Sequence, residues 1–182
     1  MDHFIGNWWS GSHADVLPAG KSSIGYKSSA MHLTGTNWQA HKDIIKHVYG
    51  GDAAKAKANK LGEVLYNRAM LNAVFSTEAV RTAQGKYGNK ALTGEQVRWG
   101  LENLNLTKAR LTEIGLGGFT NPVKVSCSDH ETGGPIHIQQ WDGQKWNKVS
   151  DWIKPFKDVV WPMVKSASAK YAAENNIKPR TC

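Results

Sequence analysis

The sequence has no apolar run that approaches the roughly 20 residues of a membrane span. It is also short of acidic residues, with 15 Asp and Glu against 23 Lys and Arg, for a net charge of +8. The basic residues are scattered, apart from the lysine-rich piece at 53–60. They form neither a concentrated stripe nor a motif of nucleic-acid recognition. The composition favours a soluble globular protein with a solvated basic surface and no nucleic-acid partner.

Signatures of catalysis and of metal binding are missing as well. The run 129–131 (Asp-His-Glu) places three polar side chains next to one another, so they point in different directions and rarely converge on one substrate atom. His41 and His47 are six residues apart, which is not the i, i+4 spacing of helical metal ligands. Ser10 lacks the flanking glycines of a nucleophile elbow. The sequence therefore predicts a protein that is not an enzyme and has no metal or cofactor.

Helical periodicity dominates the middle of the chain. Apolar residues over 61–80 recur near every 3.6 positions for more than five turns and predict the longest helix. A shorter helix is expected over 39–49. A Thr–Gln pair at capping-box spacing predicts another helix that starts at Thr93. Further helices are expected after Thr107 and over 156–174.

Strand signals are fewer and lie far apart. Short strands are expected at 3–9 and 24–33, and alternating apolar residues over 136–149 predict a β-hairpin with a two-residue turn at 142–143 (Asp-Gly). Helices that cover a parallel sheet need more strands than these. The pattern indicates a piece of a larger α/β protein.

Three runs carry a resemblance to a known family, and they are specific through their order and spacing: GEVLYNRAMLNAVFSTEAVRTA (62–83), LTGEQVRWGLENLNL (92–106) and VSCSDHETGGPIHIQQWDGQKWNKVSDWI (125–153). They resemble the C-terminal half of type I periplasmic solute-binding proteins of ABC transporters, in the branch for branched-chain amino acids. The run PAGKSSIGY (18–26) is similar to that family's segment before a crossing between lobes.

The resemblance implies two Rossmann-like α/β lobes, only partly represented by this chain, that close by hinge motion on a solute in the cleft. It also implies a division of the chain into five segments: 1–23 in the C-terminal lobe, 24–33 as a hinge crossing, 34–122 in the N-terminal lobe, 123–135 as the return crossing, and 136–182 at the end of the C-terminal lobe.

The family's role implies an extracytoplasmic, periplasmic component that delivers a small-molecule solute to a membrane permease. Met1-Asp2-His3 lacks the basic start of a signal peptide, which the resemblance implies on a full-length protein. Half of the cleft has no counterpart here, so a missing N-terminal half or a second copy of the chain is expected as a partner. The alternative function is a truncated lobe that acts as a structural or interaction module without its own solute.

Six residues are predicted to contact the solute: Trp8, Trp9, Lys21, Tyr66, Asn67 and Arg68. Trp8 and Trp9 follow a strand where the cleft is expected, although packing in the lobe core explains them about equally well. Arg68 interrupts an apolar helix face, and a buried arginine needs a partner, which a ligand or the other lobe would supply.

Lys21 marks a departure from the family pattern. It stands in GKSSIG (20–25), where the resemblance places an acidic residue that pairs with the ammonium group of an amino acid. A lysine repels an ammonium group and attracts an anion. A carboxylate-type or amide-type solute is therefore expected in place of leucine, isoleucine or valine.

The two cysteines, Cys127 and Cys182, are expected to form a disulfide if the protein works outside the cytoplasm. Such a bond would tie the C-terminus to the return crossing. The alternatives are a buried free thiol at Cys127 with an unpaired Cys182, or bonds to cysteines of the missing half.

Overall fold

A computed structural model describes residues 4–131 and 134–182 of the chain. Residues 1–3, at the start of the expected strand 3–9, and residues 132–133, in the expected crossing 123–135, lie outside the described residues. The strands are β1 (Ile5–Gly6), β2 (Lys27–Ala30), β3 (Asn105–Leu106), β4 (Val123–Lys124), β5 (His137–Trp141) and β6 (Trp146–Lys148). The α-helices are α1 (His13–Val16), α2 (Gln39–His47), α3 (Ala53–Ala58), α4 (Val64–Tyr87), α5 (Gly94–Glu102), α6 (Lys108–Glu113) and α7 (Lys157–Glu174).

The main sheet has the order β1-β2-β5-β6 and is mixed. The pair β1–β2 is parallel, whereas β2–β5 and β5–β6 are antiparallel. Strands β3 and β4 form a separate antiparallel pair. The main sheet thus joins strands from three of the five expected segments, and the division into lobes stays a prediction.

The expected hairpin forms from β5 and β6, but its turn is longer than two residues. The connection runs from Asp142 to Lys145, and the Asp142 N–H donates to the Lys145 carbonyl over 3.1 Å. One oxygen of the Asp142 carboxylate accepts the backbone N–H groups of Gln144 and Lys145, each at 2.8 Å. These side-chain bonds stabilise the wider turn.

Helix α4 is the longest helix, as the periodicity predicts, but its ends are shifted. It begins at Val64 because Gly62, with φ of +90°, turns the chain just before it. It runs through Gly85 and ends before Gly88, which has φ of +92°. A single glycine inside a long helix costs about 1 kcal/mol, which the packed neighbouring turns compensate.

The core consists of two buried clusters, and α4 contributes to both. Val64 packs with Val16, Trp141 and Trp146, which connects α4 to α1 and the hairpin. Leu71 belongs to the second cluster, where it packs with Leu111, Leu116 and Phe119. Each such side chain contributes about 1.5–3 kcal/mol through burial. Helix α4 is therefore the structural centre of the described fold.

Close packing of α4 against α5 depends on one glycine. A Cβ atom on Gly100 would lie 2.1 Å from the Ala79 carbonyl oxygen, so the backbones approach too closely for any side chain there. Ala79 and Ala83 on α4 are fully buried at this contact.

Helix α7 stands apart from this packing, and none of its residues is buried. Its apolar side chains are exposed, among them Val159, Val160 and Met163. A disulfide between Cys127 and Cys182 and an ion pair of Arg180 with Glu102 hold the chain that follows it. Among the described residues, no helix has the length and hydropathy needed to cross a membrane.

Candidate functional site

The centre of the candidate site is a contact between Arg68 on α4 and the two tryptophans that follow β1. The Arg68 guanidinium carbon lies 4.0 Å from the ring centroid of Trp8 and 5.2 Å from that of Trp9. One terminal nitrogen of Arg68 also donates a 2.8 Å hydrogen bond to the Trp8 carbonyl. The fold thus brings together three of the six predicted contact residues.

Asn7 fixes the position of the tryptophans. Its side-chain oxygen accepts the N–H groups of Trp9 and Ser10, at 3.0 and 3.1 Å, and so caps the short 3-10 turn Trp8–Ser10. This turn follows the end of β1 directly, and the Trp9 side chain remains 71% exposed. The sequence predicted Trp8 and Trp9 as contact residues, but the capping role of Asn7 is seen only in the structure.

Asn67 serves as the structural neighbour of Arg68. Its amide nitrogen donates to the carbonyls of Leu33 and Gly35, both at 3.2 Å, and its oxygen accepts from His41 at 2.9 Å. These three bonds use the amide fully, and Asn67 is completely buried. The contact of Asn67 with a solute stays a prediction, and its bonds anchor the chain segment after β2 to α4.

Tyr66 points to a different partner. Its hydroxyl lies 3.4 Å from that of Tyr49, and burial, followed by this hydrogen bond, raises the pKa of Tyr66 to about 12. Lys21 is exposed on the 3-10 turn Gly20–Ser23 and does not line the cavity beside Arg68. The structure therefore separates Tyr66 and Lys21 from the contact of Arg68 with the tryptophans.

The charge on Arg68 is unusual because it is buried and unpaired. The residue is only 8% exposed, and within the described part of the chain no carboxylate lies within 4.0 Å of its guanidinium. Its Nε atom is buried without a hydrogen-bond acceptor. Burial lowers the pKa of Arg68, and the more distant Asp15 opposes this effect. Arginine nevertheless stays protonated, so the site retains an uncompensated positive charge.

A small cavity of about 100 Å³ lies beside this charge. Trp8, Arg68 and Asn121 line it, and each carries a buried N–H donor that has no partner among the described residues. The rest of the lining is mainly apolar: Met31, Leu71, Asn72, Phe75, Thr120, Pro122, Val123, Gly134 and Pro135. Among the described residues, no acidic side chain lines the cavity. Donors and a positive charge without a counter-ion fit a ligand that carries a carboxylate or carbonyl oxygen.

His32, whose ring is edge-on to the indole of Trp8 with centroids 6.4 Å apart, adds no second positive charge. Its Nδ1–H donates to the Leu33 carbonyl over 3.0 Å, and its carbonyl accepts from His137 at 3.2 Å. Burial above all, together with the neighbouring charges of Arg68 and His137, lowers the pKa of His32 to about 4, although the hydrogen bond to the Leu33 carbonyl opposes it. Sequence reasoning missed His32 because a single histidine at a strand end carries no spacing signal.

The acidic run 129–131 does not form a catalytic or metal-binding cluster. Asp129 pairs with Lys157, whereas the His130 ring lies 3.5 Å from Glu102, so the side chains turn to different partners. Over residues 4–131 and 134–182, no group of three or more His, Cys, Asp or Glu side chains is arranged to hold a metal ion.

No known protein-family profile matches the chain, and no curated protein matches it. Solved structures do. A crystal structure described as an ABC transporter permease from the Pseudomonas fluorescens group is 39% identical, with a TM-score of 0.88 over 100% of this chain and 44% of that one.

Two more distant structures share the fold. One is a branched-chain amino acid ABC transporter protein from Thermus thermophilus with bound valine (19% identity, TM-score 0.62, 86% of this chain and 41% of that one). The other is an ABC transporter substrate-binding protein from Aeropyrum pernix (14% identity, TM-score 0.56, 86% and 39%).

These likenesses define the class of the fold. The chain has the mixed α/β fold of type I periplasmic binding proteins and spans 39–44% of the length of these structures. The resemblance read from the sequence is thereby confirmed at the level of fold and of similarity to solute-binding proteins of ABC transporters. The correspondence to the C-terminal half stays a prediction.

Proposed function

We propose that the chain is part of the extracytoplasmic solute-binding component of an ABC importer and binds a small carboxylate-type or amide-type solute. The observation that carries the proposal is the buried, unpaired guanidinium of Arg68 beside a cavity lined by donors. A buried charge without a partner is costly, and a ligand oxygen would compensate it. The likeness to solved ABC transporter proteins supports the transport role.

The solute class follows from the chemistry of the lining. The planar guanidinium fork of Arg68 suits two oxygens of a carboxylate or the carbonyl of an amide. Leu71 and Phe75 offer an apolar surface to the tail of the solute. An α-amino group would find no carboxylate among the described residues of this lining. This absence disfavours leucine, isoleucine and valine as the solute, whereas Lys21 lies outside the cavity lining and adds nothing to the choice.

The partners follow from the incomplete cleft. The cavity beside Arg68 is small for a whole ligand, since ligand pockets usually measure about 300–1,000 Å³. Trp9, which is largely exposed, offers a surface to the opposite wall. We assign that wall to a missing N-terminal half or a second copy of the chain. The protein would work in the periplasm and deliver its solute to a membrane permease.

Isothermal calorimetry with a panel of short monocarboxylates, their amides and the branched-chain amino acids tests this function. Arg68→Met should weaken binding of the best carboxylate or amide roughly 10- to 100-fold, because hydrogen bonds to a charged group contribute about 1.5–3 kcal/mol. Arg98→Met, on the exposed face of α5, is the matched control and should bind as the parent does. Tight binding of leucine that Arg68→Met leaves intact would contradict the assignment.

The second candidate function is an interaction module without a solute, and the exposed apolar side chains of α7 favour it. It predicts that no compound of the panel binds at millimolar concentration, while the chain still associates with itself or another protein. The same calorimetry combined with light scattering therefore separates the two functions.

A further inference from the structure

A second and larger cavity lies between the β5–β6 hairpin and the segment that carries α2 and α3. Its volume is about 800 Å³, within the range of small-molecule sites. None of the described residues that line it also lines the cavity beside Arg68. The two cavities are therefore separate features of the fold.

The apolar wall of this cavity is formed by two tryptophans, Trp38 and Trp146, together with Leu33, Ile45 and Leu61. Trp146 is 4% exposed, and its indole N–H has no acceptor among the described residues. Trp38 packs edge-on against Phe119 of the core, with ring centroids 4.9 Å apart. This wall is therefore part of the packed interior and does not depend on a ligand for its shape.

Backbone contacts hold the rest of the wall in place. The Gly35 N–H donates to the Gly62 carbonyl over 2.8 Å, and the Thr34 hydroxyl donates to the Trp146 carbonyl over 3.3 Å. A Cβ atom on Gly62 would lie 2.8 Å from the Thr36 side chain, so the two segments touch directly there. These contacts join residues 34–36 to Gly62 and to Trp146, so the protein itself forms the cavity.

The rim carries three lysines that form no ion pair within the described residues. Lys57, Lys145 and Lys148 line the cavity, and within the described residues no carboxylate oxygen lies within 4.0 Å of their ammonium groups. Glu63 is the acidic residue in the lining, and Lys60 already pairs with it at 3.5 Å.

The nearest hairpin carboxylate, Asp142, is also occupied. It accepts the Gln144 and Lys145 N–H groups within the turn and the Asn147 side chain at 2.7 Å. The hydrogen bonds of the Asp142 carboxylate are thus made within the hairpin. The Asp142 charge still interacts with Lys145. Lys148, whose ammonium lies 5.2 Å from the Trp152 ring centroid, forms no ion pair within the described residues and keeps an electrostatic preference for an external anion.

We propose that this cavity is a second binding site, for an amphipathic anion whose apolar body packs against Trp38 and Trp146 while its carboxylate, sulfonate or phosphate group meets Lys57, Lys145 and Lys148. The site is independent of the solute site at Arg68. It holds whether or not the chain works in solute transport.

The probe for this site is 1-anilinonaphthalene-8-sulfonate, which combines an apolar body with a sulfonate. Its binding is followed through the indole N–H resonances of Trp38 and Trp146, assigned with Trp38→Phe and Trp146→Phe. Saturable shifts confined mainly to these two resonances are expected. Shifts spread over the other indoles, or the lack of saturation, would overturn the proposal.

Two kinds of variant locate the site. The double variant Lys145→Glu/Lys148→Glu should weaken the probe at least about tenfold, while Lys90→Glu/Lys108→Glu, with the same change in net charge on exposed positions elsewhere, should leave its affinity within about twofold. Ala53→Trp, on the exposed lining of the cavity, should block the probe without changing any charge.

Equal weakening in the two double variants would show attraction by net charge only and would overturn the site. Arg68→Met should not affect the probe, although it weakens binding at the solute site. The two proposals can therefore be tested separately, and a negative result for one site does not decide the other.

Discussion

The guanidinium of Arg68 lies over the indole of Trp8 at 4.0 Å and at the same time donates to the carbonyl of that residue at 2.8 Å. The two residues are 60 positions apart in sequence, and their contact joins the turn after β1 to the first turns of α4. A single buried arginine thus orders both tryptophans and keeps a positive charge at the cavity wall.

This relationship predicts that a positive charge at position 68 is not sufficient for solute binding. Arg68→Lys keeps the positive charge but loses the planar fork and the stacking on Trp8. Calorimetry with the solute that binds the parent best should show binding weakened about tenfold or more. Parent-like affinity in Arg68→Lys would show that only the charge is needed.

The buried carboxylate of Glu78 predicts a specific response to acid. Arg110 contacts both oxygens of Glu78, at 2.6 and 3.0 Å, and Arg81 donates to it at 2.8 Å. The hydrogen bond with Arg110, more than the others, lowers the pKa of Glu78. The stability it contributes is therefore present above the unfolded-state pKa of about 4.3 and is lost as the pH falls through the folded-state pKa.

Glu78→Gln should lower the free energy of unfolding by about 2 kcal/mol at pH 7, because Arg110 and Arg81 lose their charged acceptor and Arg110 keeps only the exposed Glu113 as a carboxylate partner. The loss should shrink below about pH 4. Glu113→Gln, which removes an exposed partner of the same arginine, is the control and should cost less than about 1 kcal/mol. Urea titrations at pH 7 and pH 3.5 measure both, and a loss that is independent of pH would contradict the assignment.

The buried histidine His32 predicts a second pH dependence, in a higher window. Its pKa falls from about 6.5 in the unfolded chain to about 4 in the folded one, so between these values the unfolded state binds more protons. The free energy of unfolding should therefore decrease as the pH falls from about 6.5 towards 4. Burial lowers the pKa of His41 and His137 in the same direction. An NMR titration in which the His32 ring protonates near pH 6.5 would refute this.

The disulfide between Cys127 and Cys182 can be tested by peptide mapping. Mass mapping without reductant should recover both cysteines in one crosslinked species, and two freely alkylated thiols in oxidised native protein would refute the bond. The bond closes a loop with a sequence separation of 55 residues, so its loss in Cys182→Ser should destabilise the chain by up to about 4 kcal/mol. Ser168→Ala, exposed on α7, is the control and should leave stability unchanged.

The exposed apolar side chains of α7 predict association of the isolated chain. Val160 and Met163 are 50% and 68% exposed, and a surface of this kind tends to be covered by a partner. Light scattering should give a mass above the 20.1 kDa of one chain, and Val160→Lys/Met163→Lys should reduce it. A soluble, cooperatively folding monomer of the parent sequence would contradict the prediction.

Much of the fold was readable in the sequence because its signals are local. The period of 3.6 over 61–80 predicted α4, and the Thr93–Gln96 capping box that starts α5 is present as expected, with Gln96 accepting from the Thr93 N–H at 2.9 Å. The hairpin was located by alternation, while its turn was predicted too short because a side-chain bond of Asp142 sets its width.

The candidate site was readable only in part. Six contact residues were predicted, and the structure gathers Trp8, Trp9 and Arg68 while it leaves Lys21 exposed elsewhere. Lys21 was chosen by its place in a resemblance, which fixes position along the chain but not position in space. Asn121 went unnoticed since it lies in an unpatterned loop.

The sequence by itself determined five of the helices (α2, α4, α5, α6 and α7) but not α1 and α3, and it determined the hairpin, the absence of a long apolar span and the resemblance to a binding-protein fold, because each depends on neighbours within a few residues or on order along the chain. Only the tertiary structure decided that Arg68 is buried beside Trp8 with no carboxylate partner among the described residues, and that Lys57 and Lys148 share a cavity. Burial and pairing of charges depend on residues tens of positions apart, and no local pattern records those distances.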